Sequence, residues 1–404
     1  MEVTVKIRQH TPMIHFQWDQ SGATLRATEL KPKLDKFLKE KNDPSIEKYF
    51  GQKGNLPYKV RVNLGDCNKE IWDIEETDYR GRDRPFPTFF GNIKAEKKKK
   101  FVFYNGITTI RFLSFNKEVL DTISKYIAEF FFKTNFGTRQ SKGFGSFYID
   151  PSDPCYKSPS KFENYHFTLD IRGTNPYEKF KKLFGSIDLF YKTLRSGINI
   201  KDRDGNTLFY FKSIMFLYAK NKGWTWDKKA IKSKFVDPKT LDYQEKEYNN
   251  SDILTFSGNN EYLVRDLLGV APSQVYKYYN FSLQYDEKNE IERFKSPITF
   301  KVIHLGDIDR TTSTVYIILN SIPEGIFYKK FEINKVVEKN ILDTLTLTTP
   351  PLTERFTIED YFNFVSNIDI YKHVDEESRK NWRFRIIKNI YSQLRTQLTQ
   401  RRDE

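Results

Sequence analysis

The stretch from Asn135 to Asp150, NFGTRQSKGFGSFYID, sets Gly137, Gly143 and Gly145 around Arg139 and Lys142, with Phe144, Phe147 and Tyr148 interleaved. Glycine reaches positive φ and lets another backbone come close. Arg and Lys seek phosphate, and aromatic rings offer faces on which unpaired bases stack. The mixture suits a polynucleotide backbone better than Mg-ATP, because no GxxxxGK[ST] pattern occurs. Phe144 has two possible fates, stacking on a base or folding into the core. A second basic set, Arg26, Lys31 and Lys33, falls at a strand-to-helix turn. Backbone N–H groups and the positive helix end there add to side-chain charge at a phosphate. A third set, Arg293 and Lys295, precedes Ser296-Pro297, where it either meets RNA or is simply solvated at a strand start.

His15 invites a catalytic reading. Metal-independent RNA cleavage needs a base for the 2′-OH, an acid for the leaving 5′-oxygen and a cation on the phosphate. His15 with a Tyr and Arg26 or Lys31 meets that requirement, although a histidine at a strand end also serves as a hydrogen-bonded structural residue. Five scattered histidines form no HxH or HxxxH pair, and Cys67 and Cys155 cannot complete a zinc site. No metal or cofactor is implied.

The elements that must position these residues follow from periodicity. Val3–Arg8 alternates as a strand does, and Thr11-Pro12 marks its end. Leu30, Leu34, Phe37 and Leu38 share one helical face, with Thr28 as a candidate cap and Pro32 near the helix start. Tyr58–Leu64 and Phe101–Phe112 read as strands and Val119–Phe132 as a helix. Phe162–Ile171 reads as the closing strand. Asp78–Gly91 reads as a loop and the Lys97–Lys100 run as a solvated hairpin tip. The order β, α, β, β, α, β is that of a ferredoxin-like unit, expected over residues 1–172 with the glycine-rich loop at 135–147.

Residues 173–404 are expected to form a second, elaborated unit. Helices are expected at Pro176–Leu194, Lys212–Lys220 and Tyr262–Leu268, and strands at Ile298–Ile303 and Thr314–Ile318. The tail from Ile358 reads as helical and ends basic through Arg383, Arg385, Lys388, Arg395, Arg401 and Arg402. The fold class expected is α/β (α+β): tandem ferredoxin-like, RRM-like units, the second with inserted helices.

At 404 residues the chain is long enough for two or three domains. Its 67 Lys and Arg against 53 Asp and Glu leave a net charge of +14, which favours a polyanionic partner. No apolar run is long enough to span a membrane, and the first residues lack the apolar core of a signal peptide. Two cysteines fit a reducing compartment. The expectation is a cytoplasmic protein.

Three segments together resemble the RAMP superfamily, the RNA-binding subunits of CRISPR effector complexes. TPMIHFQWDQSGATLRATELKPKL, from Thr11 to Leu34, is similar to the family's opening, in which Thr-Pro ends a strand and Leu-Arg-x-x-Glu-Leu-Lys enters a helix. The Arg-x-x-Lys-Gly-Phe-Gly-Ser core of the loop is similar to the family's glycine-rich loop. IERFKSPITFKVI, from Ile291 to Ile303, is similar to the Arg-x-x-Ser-Pro strand of two-unit RAMPs. Their order most resembles the first subunit of the type III-B Cmr module. His15-Phe16-Gln17-Trp18 departs from the Gly-rich opening of the family, and Leu194-Arg-Ser-Gly-Ile and Trp224-Thr-Trp-Asp match none of its motifs.

The resemblance implies a non-catalytic subunit that binds guide RNA and paired target RNA and packs against other RAMP subunits. Arg26, Lys31, Lys33, Gly137, Arg139, Lys142, Gly143, Phe144, Gly145, Arg293 and Lys295 would contact RNA. The alternatives are a metal-independent CRISPR RNA-processing endoribonuclease on the same fold, using His15 and Arg26, and a generic basic RNA-binding or scaffold protein.

Overall fold

The computed structural model describes residues 1–14, 24–73, 75–77, 83–85, 100–163, 165–202, 206–235, 258, 260–269, 275–277, 282–286, 294–304, 311–338, 340–354 and 356–403. The fold is α+β, built from several small, mostly antiparallel sheets. The chain divides into two compact units, each discontinuous in sequence. One holds residues 1–188 and 299–318, the other 189–298 and 319–404.

In the first unit the strands are β1 (Glu2–Gln9), β2 (Met13–Ile14), β3 (Lys59–Asn63), β4 (Asn68–Asp73), β5 (Glu75–Thr77), β6 (Asp83–Pro85), β7 (Lys100–Asn105), β8 (Ile107–Leu113), β9 (Phe147–Ile149) and β10 (His166–Asp170). Helix α1 (Ala27–Glu40), the short α2 (Pro44–Glu47) and α3 (Lys117–Lys133) interrupt them. The central sheet runs β3-β8-β1-β9, antiparallel throughout. One face is buried, because Val5, Ile7, Ile110 and Phe112 alternate inward against Leu30, Leu34 and Leu38 of α1 and against Ile123, Ile127 and Phe130 of α3.

Three expectations are corrected here. The strand expected at Phe101–Phe112 is two strands in two sheets. Gly106, at φ +140, turns the chain from β7, which pairs with β2 and β4, into β8, which pairs with β1 and β3. The closing strand of the central sheet is β9, with Ile7 opposite Ile149, and not Phe162–Ile171. From that segment β10 pairs instead with β18 (Thr312–Leu319), in a sheet ordered β10-β18-β17, where β17 is Ile298–Ile303. Thr28 does not cap α1. Arg26 holds the extended cap position, and Pro32 lies inside the helix.

The helix expected from Pro176 is α4 (Pro176–Arg195). The second unit adds the hairpin β11 (Ile198–Lys201) and β12 (Thr207–Phe211), then α5 (Ile214–Asn221), β13 (Trp224–Thr225), α6 (Asp227–Phe235) and β14 (Asn260–Glu261). A four-stranded sheet, β15 (Val275–Lys277), β16 (Ser282–Asp286), β19 (Lys330–Val337) and β20 (Asn340–Thr348), was not anticipated. The tail is α7 (Ile358–Asn367), α8 (Glu376–Lys380) and α9 (Trp382–Asp403). Only Arg265–Leu268 of the segment expected as a helix at Tyr262–Leu268 is helical, as a single 3₁₀ turn.

That turn belongs to a largely buried ion-pair cluster that also takes in Arg195 and Asp227, from the segments 194–198 and 224–227. Arg195 meets Asp266 at 3.1 Å and Arg265 meets Asp227 at 2.6 Å. Trp224 and Trp226 are 1% exposed beside them.

Candidate nucleic-acid interface

The glycine-rich loop is closed on itself and docked onto the end of β1. Phe136 N–H donates to the Gly145 carbonyl at 2.9 Å, and Gly145 N–H donates to the Pro12 carbonyl at 2.9 Å. Thr11 serves both sides, its hydroxyl donating to the Gly143 carbonyl at 2.6 Å and accepting from Ser146 N–H at 2.9 Å. The Thr-Pro opening and the loop are therefore one hydrogen-bonded structure.

Helix α1 braces the loop from another side. Glu29 Oε1 accepts from Gly137 N–H at 3.0 Å and from Lys33 Nζ at 2.7 Å. Lys33 also donates to the Asn135 carbonyl at 3.1 Å and lies 4.8 Å from the Phe136 ring centre. The Leu-Arg-x-x-Glu-Leu-Lys turn thus holds the loop through its glutamate, a role that no local pattern signals.

The third segment enters from beneath. Strand β17 is buried along its whole length, and Lys301 on it is fully buried. Its ammonium donates to the Thr134 carbonyl at 2.9 Å, Asn135 Oδ1 at 3.2 Å and the Phe147 carbonyl at 2.8 Å. These three acceptors match the three donors of a lysine. Burial, with the like charge of Lys33, holds its pKa well below the usual lysine range. Ser146 Oγ donates to the Val302 carbonyl at 2.6 Å, and Asn135 Nδ2 to Phe300 O at 2.9 Å.

The loop glycines serve this packing. A Cβ on Gly145, at φ +64, would stand 1.9 Å from the Phe136 carbonyl oxygen, and one on Gly137 would stand 2.6 Å from Met13 Cγ. On Gly143 it would meet Val302 at 3.3 Å. On the side where a Cβ would project, each of these glycines is packed against the chain itself. Of the two fates open to Phe144, the structure shows burial in the core. Its fully buried ring stacks on Phe184 at 3.8 Å and on Phe101 at 5.6 Å.

The expected cations separate accordingly. Arg139, at φ +58, is half-buried at the head of the short turn Gln140–Lys142, and the Lys142 ammonium is shielded from solvent. Lys31 is held within the protein by Asp35 at 2.9 Å and the Leu56 carbonyl at 2.8 Å, over the Tyr58 ring at 3.9 Å. Arg26 is half-buried ahead of α1. Lys295 is exposed in the second unit, two residues before Pro297. His15, Arg293, most of the Asp78–Gly91 loop and the tip of the lysine run lie outside the described residues.

A basic surface that the sequence reading missed lies on the open face of the central sheet. Lys6 on β1, Lys59 and Arg61 on β3 and Arg111 on β8 are all exposed, and Arg61 stands directly opposite Arg111. Like charges in cross-strand register oppose folding, so this face favours an anion. Glu2 reaches Arg111 at 3.7 Å, and Asp150 pairs with Arg8 at the far edge. The signal was present in VTVKIR, KVRVN and TTIRFL, whose inward Val, Ile and Phe fix the parity of the cations.

Two buried histidines underpin the loop. His10 N–H donates to Ser146 O at 2.7 Å, and His304 N–H donates to His10 Nδ1 at 3.0 Å. His304 Nε2 lies 2.6 Å from the His10 carbonyl and so donates, leaving Nδ1 to accept from Ser313 Oγ at 2.8 Å. Burial lowers the pKa of His304 to about 4 and that of His10 well below its ordinary value. Below about pH 6.5 the unfolded chain takes up protons that the folded chain refuses, so stability is lost as pH falls from there towards 4. A loss of about 1 kcal/mol per histidine is expected by about pH 5.5. Urea midpoints at about pH 7.5 and 5.5 check this. Equal midpoints would count against neutral burial, and His304→Asn should roughly halve the difference.

Among the described residues, no group of His, Cys, Asp and Glu has the arrangement of a metal site, and no helix is long and apolar enough to cross a membrane.

Residues 1–198 match the family model of the Cmr1 N-terminal domain, and residues 210–392 match that of the Cmr1 C-terminal domain. The chain belongs to the Cmr1 family. Membership supports a RAMP subunit of a type III-B Cmr CRISPR effector complex, with other Cmr subunits as partners. No curated protein matches the chain. Within the Cmr1 N-terminal match lie the Thr-Pro opening, the Leu-Arg-x-x-Glu-Leu-Lys turn and the glycine-rich loop. The strand that buries Lys301 comes from the C-terminal match.

Proposed function

We propose that this Cmr1-family chain is an RNA-binding subunit of the effector ribonucleoprotein, contacting guide RNA and its paired target in the cytoplasm. The observation that carries the reading is the match to both Cmr1 domains over nearly the whole chain. The chain order β1-α1-β3-β8-α3-β9, with its four strands in one sheet, supports a ferredoxin-like first unit. A second RAMP-like unit in the C-terminal half is proposed with it.

The RNA path is proposed to run over the outer edge of the loop at Arg139 and Arg26 and over the open sheet face at Lys6, Lys59, Arg61 and Arg111. Contacts there are to phosphate and 2′-OH, since base pairing supplies sequence in guided complexes. Glu29, Lys33 and Lys301 position the loop without touching RNA.

Photocrosslinking of labelled guide RNA in the assembled complex tests the reading. Crosslinks to this chain are expected, and a complete complex without them would sink it. In the isolated chain, Arg61→Ala with Arg111→Ala should weaken RNA binding. The variant should also flatten the slope of log affinity against log salt by about 1.4, roughly 0.7 per phosphate contact. An unchanged slope would remove the sheet face from the path.

A further inference from the structure

The basic tail of the sequence resolves into a surface of distinct chemistry in the second unit. Helix α9 opens with Trp382, which is 52% exposed, an unusual state for the largest apolar side chain. The Arg383 guanidinium lies 4.5 Å from its ring centre and is oriented by Asn381 Oδ1, which accepts from it at 3.4 Å. Tyr371, 40% exposed, is fixed edge-to-face against buried Phe384 at 5.4 Å. Lys388 at 5.6 Å and Arg379 at 5.9 Å stand over the same tyrosine ring.

The charge pattern opposes helix stability. No carboxylate occurs from Trp382 to Gln400, and the exposed positions Arg385, Lys388 and Arg395 fall along one side. Cations in the first turn face the positive end of the helix dipole, and like charges three apart repel. Three of the neighbouring acids are engaged locally, and Glu376 raises the proton affinity of Lys380. Asp375 caps α8, Glu377 pairs with Lys380 at 2.7 Å, and Asp369 accepts from Tyr371 N–H. Exposed rings flanked by unopposed cations match a strand that presents one flat base and one phosphate per unit. They do not match an acidic peptide, which has nothing to stack.

We infer that Trp382 and Tyr371, with Arg379, Arg383 and Lys388, form a stacking platform for unpaired RNA on the second unit. The platform rests on these side chains and not on the loop or sheet-face reading.

The test titrates the full chain with a uridylate oligonucleotide at low salt, following tryptophan fluorescence. Of the five tryptophans, Trp224 and Trp226 are buried and Trp72 is half-buried, so the part of the quench that Trp382→Phe removes is read as Trp382's own. Trp382→Phe should abolish most of the quench and keep the affinity within a few-fold. Trp382→Ala should weaken binding by about tenfold at an unchanged melting temperature. Arg383→Gln with Lys388→Gln should flatten the salt slope. An unquenched titration, or full affinity in Trp382→Ala, would overturn the platform, as would equal quenching by oligoglutamate. Guide-RNA crosslinking in the complex is read on the same variants, so loss of the platform and loss of the proposed function are told apart.

Discussion

Replacing Gly145 with alanine is expected to destabilise the first unit by about 3 kcal/mol or more, enough to lower soluble yield. Two costs add. The residue sits at φ +64, where an L side chain is strained. The new methyl would also stand 1.9 Å from the Phe136 carbonyl oxygen, and that oxygen is backbone, with no rotamer to move into. Relief would require opening the Phe136–Gly145 hydrogen bond and lifting the loop from Pro12. Gly185 supplies the opposite case within the same unit. It lies inside α4 with nothing within 4 Å of a Cβ, so Gly185→Ala should be neutral or stabilising by up to about 1 kcal/mol. Thermal melts of the two variants beside wild type check the pair. A Gly145→Ala protein that melts with wild type would show that the loop is not locked by this contact.

Lys301→Met is expected to cost about 3 kcal/mol, and its pH dependence distinguishes the cause. The substitution leaves Thr134 O, Asn135 Oδ1 and Phe147 O without their shared donor, each worth about 1–3 kcal/mol when buried. Relief of ammonium burial offsets part of that loss. The folded pKa is depressed, so between that value and the free lysine value the unfolded chain holds a proton that the folded chain has released. Wild-type stability therefore rises with pH in that window. Methionine cannot titrate, so the gap between wild type and variant should widen from about pH 7 to about pH 9. Denaturant titrations at both pH values measure it. A gap that stays constant would mean that the buried Lys301 keeps its proton across this range, and one that narrows would mean that it holds the proton more tightly than a free lysine does. On the proposed RNA path, binding should fall in the same variant, because Arg139 is carried by the loop that Lys301 fastens.

Much of the N-terminal fold was legible because its elements are amphipathic. The 3.6-residue spacing of Leu30, Leu34 and Leu38 and the alternation of Val3, Val5 and Ile7 each imply one buried face, and both occur as expected. The break at Gly106 was not legible, since a continuous β-rich run does not say which sheet each half joins. Nor was the closing strand. Phe147–Ile149 is buried at all three positions, so no alternation marked it, whereas His166–Asp170 alternates clearly and drew the assignment.

By itself, the sequence determined the family and the basic character of the chain. The family rests on ordered motifs and the charge on composition, and neither requires coordinates. Tertiary structure alone decided what the motif residues touch within the chain. Lys301 alternates with Ile298, Phe300 and Val302 as a solvent-facing residue would, yet it is buried because the loop covers the second face of its strand. Phe144 carries the same signature whether it meets a base or the core. Its burial was settled by Phe101 and Phe184, distant in sequence, whose rings lie parallel to its own. A motif records which residue types must meet. Only the long-range contacts, whose energies depend on three-dimensional proximity, record what they meet.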